Sequence, residues 1–231
     1  HVGPGEEAVK VGWVSRGSLA ASAGLQITVT GVQTHGAVPW RGVDPLVVAS
    51  QIVLGLQTIP SRQTAATTGP AIVTIGQIQG GVRGNIIPSE VTMIGTIRTI
   101  DSDMQADVHM RIERTAKLIA ESAGATAEVS ISRGYPVTFN DPDLTSAAVG
   151  PLREELGEDN VIEGLPTMGS EDFSYFAREV PGFFFWLGGR SPGVPIEEAP
   201  ANHSPFFVVD EAALDIGVRA MTKVALSYLG G

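Results

Sequence analysis

The sequence predicts an α/β protein in which one folding unit interrupts another. The first observation is a run of periodic segments from Leu25 to Ile131 in the order strand, helix, strand, strand, helix, strand. That is the split βαβ or ferredoxin-like order, an antiparallel four-stranded sheet with both helices on one face. The second is a change of rhythm after residue 140, where short apolar strands alternate with helices as at the end of an α/β layer buried on both faces. Residues 1 to 16 are read as part of that same layer, so the boundaries are 1–18, 19–133 and 134–231. No internal repeat or low-complexity tract interferes with this division.

Each element has its own signal. Leu25, Ile27 and Val29 alternate with Gln26, Thr28 and Thr30, the two-residue period of a half-buried strand. A polar loop with His35 follows. Asp44-Pro45 then offers an N-cap and a first-turn proline to a helix whose Leu46, Val47, Ile52, Val53 and Leu56 mark a broad apolar face, and Pro60 stops it. Ala71 to Ile78 and Val91 to Ile97 are β-branched and alternating, and Gly80-Gly81 and Gly84-Asn85 between them make an antiparallel hairpin. Asp101 caps a long helix with Met104, Val108, Ile112 and Ile119 at helical spacing; it ends at Gly124, and Ala127, Val129 and Ile131 form the last strand. His109 lies beside that apolar stripe and is read as a surface residue. Beyond it come a helix over 144–156, a short strand at Val161-Ile162, a helical turn or two over 172–178, a strand over 183–187 and a closing amphipathic helix over 211–229.

Composition excludes several classes. A chain of 231 residues with 43% hydrophobic content fills one large core or two ordinary ones. With 15 basic and 25 acidic residues the net charge is −10, without long runs of either sign, so no nucleic-acid or anionic-membrane footprint is present. Partners are expected to be small molecules or a second copy of the chain. Cysteine is absent, which removes disulfides and thiolate ligands. No apolar run reaches the length of a membrane span. A P-loop, a GxSxG elbow and a dinucleotide glycine fingerprint are also missing. The chain opens at His1 without an initiator Met or a signal-peptide pattern, so it is expected to be part of a longer polypeptide. Nothing chooses between a cytoplasmic and a bacterial periplasmic location.

Five short motifs hold the residues able to do chemistry. Asn202-His203-Ser204-Pro205 sets one of four histidines in a turn that Pro200 and Pro205 stiffen, as a metal-ligating imidazole requires; a solvated loop histidine is the plainer reading. Met168-Gly169-Ser170-Glu171-Asp172-Phe173 precedes a helix start, where free N–H groups meet an anion or Ser170 is an ordinary N-cap. Thr34-His35-Gly36-Ala37-Val38-Pro39 carries a loop histidine. Gly84-Asn85-Ile86-Ile87-Pro88 places Asn85 in a turn. Gly95-Thr96-Ile97-Arg98-Thr99 puts a guanidinium in an otherwise apolar strand, either in a structural salt bridge or in bidentate recognition of a carboxylate.

In this order and spacing, with the His1-Val2 pair at the front, the motifs resemble the M20 family of metal-dependent aminoacylases and carboxypeptidases. The closest likeness is to its hippurate hydrolase and indole-acetyl-amino-acid hydrolase branch. The resemblance covers essentially the whole chain. It implies a zinc-peptidase-like α/β catalytic domain, represented by 1–18 and 134–231, with 19–133 as an inserted ferredoxin-like lid and dimerisation domain. It further implies hydrolysis of an N-acyl amino acid or short peptide by a homodimer, with two divalent metal ions, zinc, manganese or cobalt. By the resemblance, His203 and His1 are metal ligands, Arg98 and Asn85 together hold the substrate carboxylate, and Gly169 and Ser170 line the substrate site. His35 reaches the partner's site and donates to the developing oxyanion, a contact whose loss costs about 10²- to 10³-fold in rate.

The chain also departs from the family pattern. The family's remaining ligands, a Cys-x-His-Asp or His-x-Asp type motif and a Glu-Glu pair that includes the general base, precede the His-Val pair, and no residue here replaces them. Two histidines do not fix two ions or deprotonate a bridging water. The chain alone is therefore expected to be weak in metal affinity and catalytically incompetent; its alternative role is that of a non-catalytic dimerisation fragment.

Overall fold

In the computed structural model, which describes residues 1–230, the chain begins β1 (Val2–Glu7), β2 (Val11–Trp13), β3 (Arg16–Leu19), β4 (Ala21–Thr30), β5 (Thr34–His35), α1 (Pro45–Thr58), β6 (Ala71–Gly80), β7 (Ile86–Ile87) and β8 (Glu90–Thr99). It continues α2 (Ser102–Ser122), β9 (Thr126–Arg133), β10 (Thr138–Asn140), α3 (Pro142–Leu156), β11 (Val161–Glu163), α4 (Phe173–Glu179), β12 (Phe185–Arg190) and α5 (Ala212–Gly230). Two units emerge: Ala20–Val137 with Met168–Glu171, and His1–Leu19 with Thr138–Thr167 and the chain from Asp172 onward. Among the described residues no helix is long and apolar enough to cross a membrane.

The interrupting unit is built on a sheet of order β6-β8-β4-β9, every pair antiparallel. With α1 after its first strand and α2 after its third, this is the ferredoxin-like arrangement. Strands β4 and β8 pair without a break from Ala21↔Thr99 to Thr30↔Glu90. One face carries Leu25, Ile27, Val29, Met93 and Ile97 against Ile52 and Leu56 of α1 and Val108 and Ile112 of α2. The residues between them, Arg98 included, point to the helix-free face. Aspartates start both helices: Asp44 accepts from the N–H of Leu46 at 2.9 Å, and Asp101 from that of Met104 at 2.8 Å. Gly124 ends α2 with φ of 75°, a conformation that favours glycine.

Two sequence expectations need correction here. Leu46 and Val47 are exposed, and Val48, Ala49, Ile52 and Leu56 are buried instead. The latter set falls within an arc of about 100° on a helical wheel, whereas residues 46 and 47 fall outside it. His109 is half-buried rather than on the surface, and its Nε2 has no hydrogen-bond partner. It sits one step around the helix from Val108 and is drawn in with that stripe.

The other unit holds a mixed sheet of order β1-β12-β2-β11, with β12 antiparallel to β2 and the remaining pairs parallel. Val11, Val161 and Phe185 of this sheet pack with Val149 and Leu152 of α3 and Ala220 of α5. Beside it, β3 and β10 form a short antiparallel pair. Asn140, fully buried at the end of β10, ties three segments together. Its Nδ2 donates to the carbonyls of Val14 and Phe184, both at 2.7 Å, and its Oδ1 accepts from the Phe184 N–H at 2.6 Å.

Asn140→Leu is expected to destabilise this unit by about 3 kcal/mol or more, since it strands two carbonyls and one N–H in the interior; denaturant titration measures it. A pH effect arises in the ferredoxin-like unit. Burial, and then the Arg133 charge, hold the His109 imidazole below its ordinary range. The unfolded chain therefore takes up a proton below about pH 6.5 that the folded unit resists, so stability is full above that pH and falls as pH drops through it. Thermal melts at about pH 7 and about pH 5 should show a smaller loss for His109→Gln than for the parent.

Candidate active site

The two histidines expected to bind metal lie in the same unit, and one asparagine joins their segments. His1 is stitched to β12: its amino group donates to the Phe185 carbonyl at 3.3 Å and its carbonyl accepts from the Leu187 N–H at 2.7 Å. Its ring lies 4.7 Å from that of Trp186. Asn202 donates from Nδ2 to the carbonyl of Val2 at 3.0 Å, and the same nitrogen is 3.4 Å from His1 Nε2. The turn bearing His203 is thus anchored on the start of β1. Ser204 closes it, its N–H donating to the Ala201 carbonyl at 3.1 Å. His203 itself is exposed and has φ of 71°, a left-handed conformation uncommon for a side-chain-bearing residue and shared with Arg16 at φ of 66°.

Two histidines on segments joined through Asn202 are only part of a ligand set. Among the described residues no three His, Cys, Asp or Glu side chains come together to hold a metal ion. A catalytic zinc or a two-metal centre needs three or more protein ligands and a base. The residues of this chain do not by themselves fit such a centre.

In the ferredoxin-like unit the His35 loop is more ordered than a polar loop suggests. Thr34 and His35 pair with Ile87 and Ile86, and the Gly36 N–H donates to the Asn85 carbonyl at 2.8 Å. The His35 ring accepts at Nδ1 from the Ala37 N–H at 3.0 Å. A backbone N–H can only donate, so in the neutral ring the proton sits on Nε2, which is then a hydrogen-bond donor.

Arg98 pairs in register with Ser22 on one side and Ile72 on the other. Its Nη1 is buried and has no hydrogen-bond partner, and among the described residues it makes no ion pair. The structural salt bridge considered for it is therefore absent. Arg98 and Asn85 do not meet within one chain. Arg98 is level with Ser22, while the hairpin loop with Asn85 lies beyond the Thr30↔Glu90 row. Eight residues of antiparallel strand separate those rows, roughly 27 Å. The grouping that the structure makes is Asn85 with His35.

Gly169 and Ser170 fall with the Arg98 end of the sheet. The Gly169 carbonyl accepts from the Ala20 N–H at 2.9 Å, two residues before Ser22 in the chain. They do not start a helix: α4 begins at Phe173 with Asp172 at the cap position, so an anion site on the helix N-terminus at Ser170 is not formed. Asn202 is the residue that motif reasoning passed over, since a side-chain amide next to a histidine gives no signal until Val2 is seen beside it.

Comparison with known proteins identifies the family. The sequence matches Peptidase family M20/M25/M40 over residues 2–227. It is 33% identical over 216 residues to IAA-amino acid hydrolase ILR1-like 2 of Arabidopsis thaliana, covering 92% of this chain and 48% of that protein. The fold matches that of a protein of methicillin resistant Staphylococcus aureus provisionally named an aminohydrolase, with a TM-score of 0.90 and 29% identity over 99% of this chain and 58% of that one. It also matches the YxeP protein of Bacillus subtilis, described as a dinuclear metal binding peptidase from the M20 family, with a TM-score of 0.80 and 27% identity over 100% of this chain and 56% of that one. The chain thus spans about half the length of these relatives. With the family match running almost end to end and both units sharing the relatives' fold, the chain belongs to the M20/M25/M40 peptidase family.

Proposed function

We propose that the protein hydrolyses the amide bond of N-acyl amino acids or short peptides, and that Arg98 holds the free carboxylate of the substrate. The observation that carries this reading is the buried, unpartnered Arg98 Nη1 on the helix-free face of its sheet. Planar guanidinium matches carboxylate bidentately, and an unsatisfied buried cation is costly unless a ligand completes it. The name of the Arabidopsis relative, an IAA-amino acid hydrolase, supports a substrate of this chemistry.

His35 is the donor to the oxygen of the scissile carbonyl as negative charge develops on it, because its Nε2 carries the proton while Nδ1 is engaged by Ala37. Asn85 travels with it, stitched to the same loop. Since Arg98 lies at the other end of the sheet, Arg98 and the His35–Asn85 pair serve one site only when contributed by two copies, which favours a homodimer. His1 and His203 are two of the ligands of a divalent ion, zinc, manganese or cobalt, in line with the dinuclear description of YxeP. A second reading, a non-catalytic dimerisation module, is favoured by the absence of any three-ligand cluster among the described residues. Stoichiometric metal in the purified chain would rule it out.

In the active protein, Arg98→Lys should raise KM for a hippurate-like substrate by about tenfold or more with little change in kcat, the mark of lost ground-state binding. His35→Phe should instead lower kcat by about 10²- to 10³-fold. Mixing the His35→Phe and Arg98→Ala proteins after subunit exchange should restore about one quarter of parental activity, as half the dimers are mixed and each has one intact site. No recovery on mixing would place both residues in the same chain's site.

A further inference from the structure

A cavity of about 450 Å³ lies in the non-ferredoxin unit, beside α3, at the carboxyl ends of the parallel strands β2 and β11. Crevices at that end of α/β sheets commonly take small ligands. None of the residues in the candidate active site lines it.

Three of the residues that line it each carry a buried polar atom without a hydrogen-bond partner: Trp13 Nε1, Thr145 Oγ1 and Arg153 Nε. Thr145 is only 2% exposed. A helical threonine commonly turns its hydroxyl to the carbonyl four residues back, and Thr145 does not. Arg153 Nε lies 3.1 Å from the Glu158 carboxylate, yet this is not an aligned hydrogen bond, and the Glu158 side chain is 76% exposed and well screened.

Indole and guanidinium nitrogens donate and never accept, and the threonine hydroxyl can donate. The natural complement of these three is an anionic oxygen pair. Glu163, at the end of β11, lines the same cavity and contributes the opposite chemistry, a carboxylate able to receive a cation. It would also repel a multiply charged anion such as phosphate. The Trp13 ring and Val149 add apolar wall.

We infer that this cavity binds a free α-amino acid, its carboxylate on Trp13 Nε1, Thr145 and Arg153 and its ammonium on Glu163. The inference does not depend on the hydrolase reading above, because it uses none of the same residues.

Indole N–H signals in ¹H–¹⁵N NMR spectra of the ¹⁵N-labelled protein test it. The chain has three tryptophans, and Trp13→Phe identifies the Trp13 signal by its loss. That signal should shift saturably on titration with alanine. Acetate, which lacks the ammonium, should bind about tenfold more weakly, and Glu163→Gln should remove the difference. Thr145→Val should weaken both. Glu163 is exposed, so its variant remains informative even where the buried Thr145 change harms folding. No saturable shift with alanine overturns the inference and leaves the orphan donors to water. Equal binding of acetate and alanine, or tighter binding of inorganic phosphate, overturns the amino-acid assignment.

Discussion

The unbroken antiparallel register between β4 and β8 is the constraint on which the ferredoxin-like unit depends. Because Ala21 meets Thr99 and Thr30 meets Glu90 with no slip between, every side chain on both strands is committed to one face and one height. A shift of one residue would turn Met93 and Ile97 out of the core and drive Arg98 into it. The third strand, β6, adapts to this pair. It carries the bulge between Ile75 and Gln77, opposite the segment around Gly95. Gly95 belongs to the Gly95–Thr99 motif for a structural reason: a Cβ there would run into the Thr74 carbonyl oxygen. The same register sets Arg98 at one end of the sheet and the hairpin that carries Asn85 at the other. Chemistry that needs both residues at one substrate is then a property of two copies.

Much of this fold was legible because its signals are local. Alternation from Leu25 to Val29, the aspartate caps at Asp44 and Asp101 and the β-branched hairpin strands each declare an element within a few residues. What stayed hidden depends on distant partners. Strand β3 is four residues long and exists because β10, more than a hundred residues away, pairs with it. The two-residue ladder of β5 and β7 likewise has no periodicity to read, yet it joins His35 to Asn85. The helical face of α1 was misjudged at Leu46 and Val47 because an apolar run does not reveal which arc faces the sheet.

The candidate site shows the same division. The order of the motifs in sequence did not reveal their grouping in space. Within one chain Asn85 is stitched to the His35 loop, while Arg98 stands at the other end of the sheet. His203 was singled out, while Asn202 beside it is what anchors the turn to Val2. The state of His35 was also beyond the sequence, since only the Ala37 N–H on Nδ1 fixes Nε2 as the donor.

Three arginines of this chain are satisfied by its own fold, in contrast to Arg98. Arg190 is satisfied by its own fold: its guanidinium donates to the carbonyls of Pro4, Gly5 and Val194, with Glu7 nearby. Arg111 is completed by Asp107 and Gln63, and Arg219 by Glu155. These side chains hold strands and helices together. Arg98 has a buried nitrogen with no hydrogen-bond partner. Burying an incomplete guanidinium opposes folding, and an aliphatic side chain there would favour it. A planar, doubly accepting carboxylate is the kind of group that could complete it, which is why the proposed substrate contact is placed there.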